Sequence, residues 1–71
     1  MIERLEELLR KEPFVPFRVI LTNGHSYDVI SPLMVAVGRT ELSYYFPKSD
    51  KLAHLRLNRL TALETLEPHD V

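Results

Sequence analysis

The chain has 71 residues, a formal net charge of −1, 45% hydrophobic residues and no cysteine. That length holds one domain, 1–71, and the missing cysteines exclude a disulfide staple for its core. The near-neutral charge argues against a nucleic-acid binder working by bulk electrostatics, although a local basic patch stays open. Residues 2–11 read as a short amphipathic helix, with Ile2, Leu5, Leu8 and Leu9 on one face and Glu3, Arg4, Glu6, Glu7 and Arg10 on the other. Glu6–Arg10 and Glu7–Lys11 stand at the i,i+4 spacing that supports helices. Pro13 and Pro16 stop the helix, because the residue before a proline avoids the α region. A helix of about ten residues is marginal alone, so its leucine face is expected to dock on the rest of the domain.

Residues 17–23 alternate Phe17, Val19 and Leu21 against Arg18, Ile20 and Thr22, the period of a strand. Asn23-Gly24 then predicts a hairpin with a type I′ turn, since both residues tolerate positive φ. Residues 25–30 continue as a second strand with Tyr27 and Val29 on one face and Asp28 on the other. Ser31-Pro32 interrupts it, because proline cannot donate to a ladder. Residues 34–37 are apolar on both faces and read as a strand covered from two sides. A turn at Gly38-Arg39-Thr40, a strand over 42–46 and a loop at Pro47-Lys48-Ser49-Asp50 follow.

Residues 51–66 admit two readings. Leucines at 52, 55, 57, 60, 63 and 66 lie mostly three apart and suggest a helix capped by Ser49 or Asp50. The spacing between Leu55 and Leu57 breaks that stripe, however, and strands left without partners would expose long edges. Two short strands turning near Asn58-Arg59 are therefore favoured. The expected architecture is mostly β: a small, strongly bent five-stranded barrel, SH3-like or Sm-like, over 17–66, with an N-terminal α-helix and a tail at 67–71.

Two stretches carry a family resemblance. Val19–Gly24 ends in Leu21-Thr22-Asn23-Gly24, and Leu55-Arg56-Leu57-Asn58-Arg59-Leu60 has the flavour of Ile-Arg-Gly-Asn-x-Ile, with Leu57 where the glycine stands. Together they resemble the two motifs of the Sm-like family, including its bacterial Hfq branch, in which an N-terminal helix caps a bent five-stranded barrel. The resemblance implies an oligomeric ring that binds single-stranded RNA, with Arg56 and Asn58 at a uridine pocket. The stretch Pro13–Arg18 followed by Asn23-Gly24 also resembles small uncharacterised bacterial proteins built on Pro-Phe-x-Pro-Phe-Arg, a likeness that implies no activity.

Catalytic chemistry is not expected. His25, His54 and His69 are isolated in sequence, and two glycines cannot build a phosphate-cradling loop. Neither a metal nor a cofactor is expected. For nucleic acid, Tyr44 and Tyr45 offer stacking faces, and Arg39, Arg56 and Arg59 offer charge, with Asn58 beside them. The other reading makes one tyrosine core, one an edge residue, and the arginines solvated charge. A chain this short buries only about 60% of its unfolded surface, so its apolar content points to association with further copies. The expected role is a non-enzymatic binding or assembly module, a homo-oligomer with a protein or RNA partner. No signal sequence or membrane-spanning run is read, and the cytoplasm is the expected location.

Overall fold

A computed structural model describes residues 1–66; the tail read at 67–71 lies outside the described residues. The helix α1 spans Ile2–Arg10, and Lys11 is already extended (φ −66°, ψ 137°), one residue short of the expected end. Leu5 and Leu8 are buried and Leu9 packs against the core, whereas Ile2 remains 41% exposed, so the docking face is narrower than the apolar stripe. With Lys11 outside the helix, the ion pair that forms on its surface is Arg4–Glu7 at 3.9 Å rather than either i,i+4 pair. Such exposed pairs contribute little.

Six strands rather than five follow: β1 Phe17–Leu21, β2 Ser26–Val29, β3 Val35–Val37, β4 Glu41–Phe46, β5 Lys51–Arg56 and β6 Leu60–Thr65. They form two antiparallel three-stranded sheets, ordered β2-β1-β6 and β3-β4-β5. The count exceeds the five of the expected barrel because the interruption read at Ser31-Pro32 separates β2 from β3 completely. Ser31 Oγ accepts the Leu33 N–H (3.2 Å), and Pro32–Met34 form a 3-10 turn that separates β2 from β3. Met34 therefore belongs to the turn. In β3, Val35 and Val37 are half-buried and Ala36 is exposed, so this strand is covered on one face only.

Residues 51–66 resolve as strands. A 3-10 turn, Leu57–Arg59, joins β5 to β6, and Leu55, Leu57 and Leu60 all point inward. The two-residue step from Leu55 to Leu57 that breaks a helical stripe falls where β5 ends: Leu55 is buried on the strand and Leu57 in the turn that follows. The core unites Leu5 and Leu8 of α1 with Phe17, Val19 and Leu21 of β1 and Leu42 and Tyr44 of β4. Phe17, Val19, Leu21 alternate buried with half-buried Arg18 and Ile20, as their spacing predicts.

The hairpin between β1 and β2 forms with a different turn. Gly24 alone in this loop takes positive φ (+91°); its N–H donates to Leu21 O (2.9 Å), and Leu21 N–H donates to His25 O (2.8 Å). This is a three-residue loop, Thr22 to Gly24, whose last residue is left-handed, instead of a two-residue type I′ turn. Asn23 serves by side chain, its Oδ1 accepting the His25 N–H at 3.0 Å. A Cβ on Gly24 would meet nothing within 4 Å, so a substitution there costs backbone strain and little else. Gly24→Val is expected to lose about 1–3 kcal/mol of stability, and Gly24→Asn clearly less, because asparagine tolerates the left-handed region. Thermal denaturation of both variants checks this; equal losses would contradict it.

Candidate functional site

The arginine-bearing segments converge at one end of the molecule. The Leu57 N–H donates to Thr40 O at 2.9 Å, fastening the 3-10 turn after β5 to the turn between β3 and β4. Leu57 itself is buried, which anchors the segment. Arg39, Arg56 and Asn58 are consequently held around one groove of about 520 Å3, closed on another side by Met1, Ile2 and Glu3 of the helix start. Three of the six residues singled out for nucleic-acid binding are thus brought together. All three are exposed.

Tyr44 and Tyr45 lie elsewhere. Tyr44 is 7% exposed, its ring 5.1 Å from Tyr27 and 4.9 Å from Phe46, and its hydroxyl donates to Asp28 O at 2.6 Å, tying one sheet to the other. Burial raises the Tyr44 phenol above its ordinary pKa, helped by the negative charge of Asp28 and by Tyr27. Its ring is part of the core and presents no face for a base. Tyr45 sits at the β4–β5 turn, where its hydroxyl donates to Asp50 Oδ1 at 3.0 Å. Asp50 takes φ +63°, a conformation that aspartate tolerates.

A second, smaller groove of about 250 Å3 adjoins the first. Arg56 lines both; the second is completed by Leu21, Thr22, Asn23, His54, Leu55 and Arg59. The link is again a backbone bond, from Thr22 N–H to Arg59 O at 2.8 Å, which presses the β1–β2 loop against the 3-10 turn. Among the described residues no carboxylate lies within ion-pair distance of Arg39, Arg56 or Arg59. Two acids are nevertheless close in the fold: Glu3 lines the first groove, and Glu41 faces Arg56 across the β4–β5 ladder.

The remaining arginine of the sheets is used internally. Arg18 donates through Nε to Asp28 Oδ1 (2.8 Å) and lies 4.0 Å from Glu64, its neighbours on β2 and β6. The hydrogen bond to Asp28 leads in raising the Arg18 pKa, followed by that carboxylate's charge. Ser43 Oγ and His54 Nδ1 meet at 3.1 Å on the outer face of β4 and β5. Among the described residues no group of three His, Asp or Glu side chains is placed to hold a metal ion, and no helix is long and apolar enough to cross a membrane. Sequence reasoning missed the contribution of Met1–Glu3 to the groove, since nothing local marks where a docked helix begins relative to a turn 36 residues later. Comparison with family models, curated proteins and solved structures finds no match.

Proposed function

We propose that the chain is a non-enzymatic binding and assembly module that acts as a homo-oligomer, joined through its sheet edges. The observation that carries this reading is two of the edge strands, β5 in one sheet and β6 in the other, each with one side unpaired among the described residues. An open edge offers a row of backbone donors and acceptors to another chain. The two edges differ in charge: β5 bears Lys51 and Arg56, and β6 bears Glu64, all exposed. Unlike edges favour a head-to-tail contact, which closes into a ring when the rotation permits. Leu52 on β5 is 61% exposed, a large apolar group that such a contact would cover.

Sedimentation or light scattering at micromolar concentration is expected to show more than one subunit, against a single-chain mass of 8.3 kDa. Leu52→Lys should shift the population toward the single chain while leaving its fold intact, because surface changes of this kind usually cost within about 0.5 kcal/mol. A clean 8.3 kDa species from the parent protein sinks the proposal.

A second reading, an Sm-like ring that binds single-stranded RNA, is favoured by the groove that gathers Arg39, Arg56 and Asn58. Counting β2 and β3 as one strand interrupted at Ser31-Pro32 leaves five strands after the helix, which supports the strongly bent SH3-like or Sm-like barrel that the resemblance implies. A chain without cysteine fits the cytoplasm for either reading. Binding of a labelled uridine-rich strand should then be measurable at low salt and fall as salt rises. The double variant Arg56→Ala, Asn58→Ala should remove most of it without unfolding the chain, since neither side chain belongs to the core, and Asn58→Ala alone, off the β5 edge, should weaken binding with the oligomer intact. Arginine brings a fork of donors, and asparagine a donor and an acceptor for one base edge. Unchanged anisotropy in that variant leaves the assembly reading alone.

A further inference from the structure

The two grooves share a wall. Arg56 lines both, Arg39 stands only in the first and Arg59 only in the second. We propose that the grooves form one track for a single-stranded nucleic acid, with Arg39, Arg56 and Arg59 meeting successive phosphates and Asn58 facing a base in the first groove. The proposal rests on the nucleic-acid reading above and extends it to a second contact region built from the β1–β2 loop, His54 and Arg59.

Three observations support the extension. No carboxylate stands within ion-pair distance of any of the three arginines among the described residues, whereas Arg18, in the same molecule, is engaged by Asp28. Unengaged guanidinium groups have their donor forks available for phosphate oxygens. The track is also held by backbone bonds at both ends, Leu57 N–H to Thr40 O and Thr22 N–H to Arg59 O, so the fold sets where the main chain presents the three arginines. Finally, the first groove, at about 520 Å3, lies in the size range of ordinary ligand pockets, and the second, at about 250 Å3, continues it past Arg56. Glu3 bounds the track at the helix start, where its charge repels the strand and directs it toward Arg59.

The test is a salt titration of binding by fluorescence anisotropy, with ten-nucleotide oligouridine and oligothymidine as probes for RNA and DNA. Each phosphate contact adds about 0.7 to the slope of log affinity against log salt for a single strand. Arg59→Ala should therefore reduce the slope by about 0.7 and weaken binding, and Arg59→Lys should restore the slope. Folding should be unaffected, because Arg59 is exposed and the carbonyl that holds Thr22 belongs to its backbone. Lys48→Ala, at the opposite end of the β4–β5 hairpin, should leave slope and affinity at the parent values. If the parent binds and Arg59→Ala matches it in slope and affinity, the track is wrong while the first groove keeps its reading. If the parent binds neither probe, both fall.

Discussion

Phe17→Ala is expected to lower the stability of this domain by about 3–5 kcal/mol, the usual cost of deleting a fully buried phenylalanine. Phe17 has no exposed surface and sits on β1, the central strand of its sheet, opposite Val29 on one side and Thr65 on the other. Phe14 packs on it at 6.0 Å with a tilted ring, so the substitution also removes an aromatic pair. The expected loss is set against a small reserve. At about 0.05–0.15 kcal/mol per residue, a chain of this length holds roughly 4–11 kcal/mol in total. Urea unfolding at one fixed protein concentration measures the difference, the concentration being held because association would add to apparent stability. A loss below about 1 kcal/mol would mean that the site collapses around the missing ring, and that Phe17 is not central to the core.

Much of this architecture is legible in the sequence because it is carried by short-range patterns. The alternation through Phe17, Val19 and Leu21 records a strand with one buried face, and burial along β1 follows it residue by residue. Pro13 and Pro16 end the helix, and Asn23-Gly24 places the hairpin. What the dipeptide does not settle is how many residues the loop contains. Two-residue and three-residue loops both accept Asn-Gly, and the choice falls to the pairing of Leu21 with His25. The split between β2 and β3 is similar: Ser31-Pro32 announces an interruption, but only the cap on Leu33 turns it into a 3-10 turn between two sheets.

The candidate site is less legible, for a physical reason. Arg56 and Asn58 lie two residues apart, so their proximity follows from the chain, and both line the first groove. Arg39 joins them because Thr40 O receives the Leu57 N–H, a contact between segments distant in sequence. Tyr44 and Tyr45 are candidates by residue type, and type does not report orientation. On β4, Tyr44 and Tyr45 are successive residues and must face opposite sides of the sheet. One side is the core, so one of the pair had to be lost to packing; the inward partner Leu42, two residues earlier, identifies Tyr44 as that one.

Leu5→Ala is expected to cost about 2–5 kcal/mol, and to act on the grooves as well as on stability. Leu5 is wholly buried, and with Leu8 it forms the buried part of α1. Nine residues make a helix too short to persist alone in water, so α1 depends on that docking. Its start carries no side-chain cap, and the exposed Arg4–Glu7 pair adds little to hold it. With Leu5 truncated, the helix should open at a lower free energy than the sheets, as a local event. Hydrogen exchange reads this directly: amides of α1 should lose protection while those of β1 and β4 keep most of theirs. Met1, Ile2 and Glu3 wall the first groove, so an undocked helix removes that wall and with it the negative charge of Glu3. Single-strand binding, if it occurs where proposed, should therefore shift in Leu5→Ala although every arginine is intact. Uniform loss of protection across helix and sheets would show instead that α1 and the strands unfold as one cooperative unit, and that the groove has no independently opening wall.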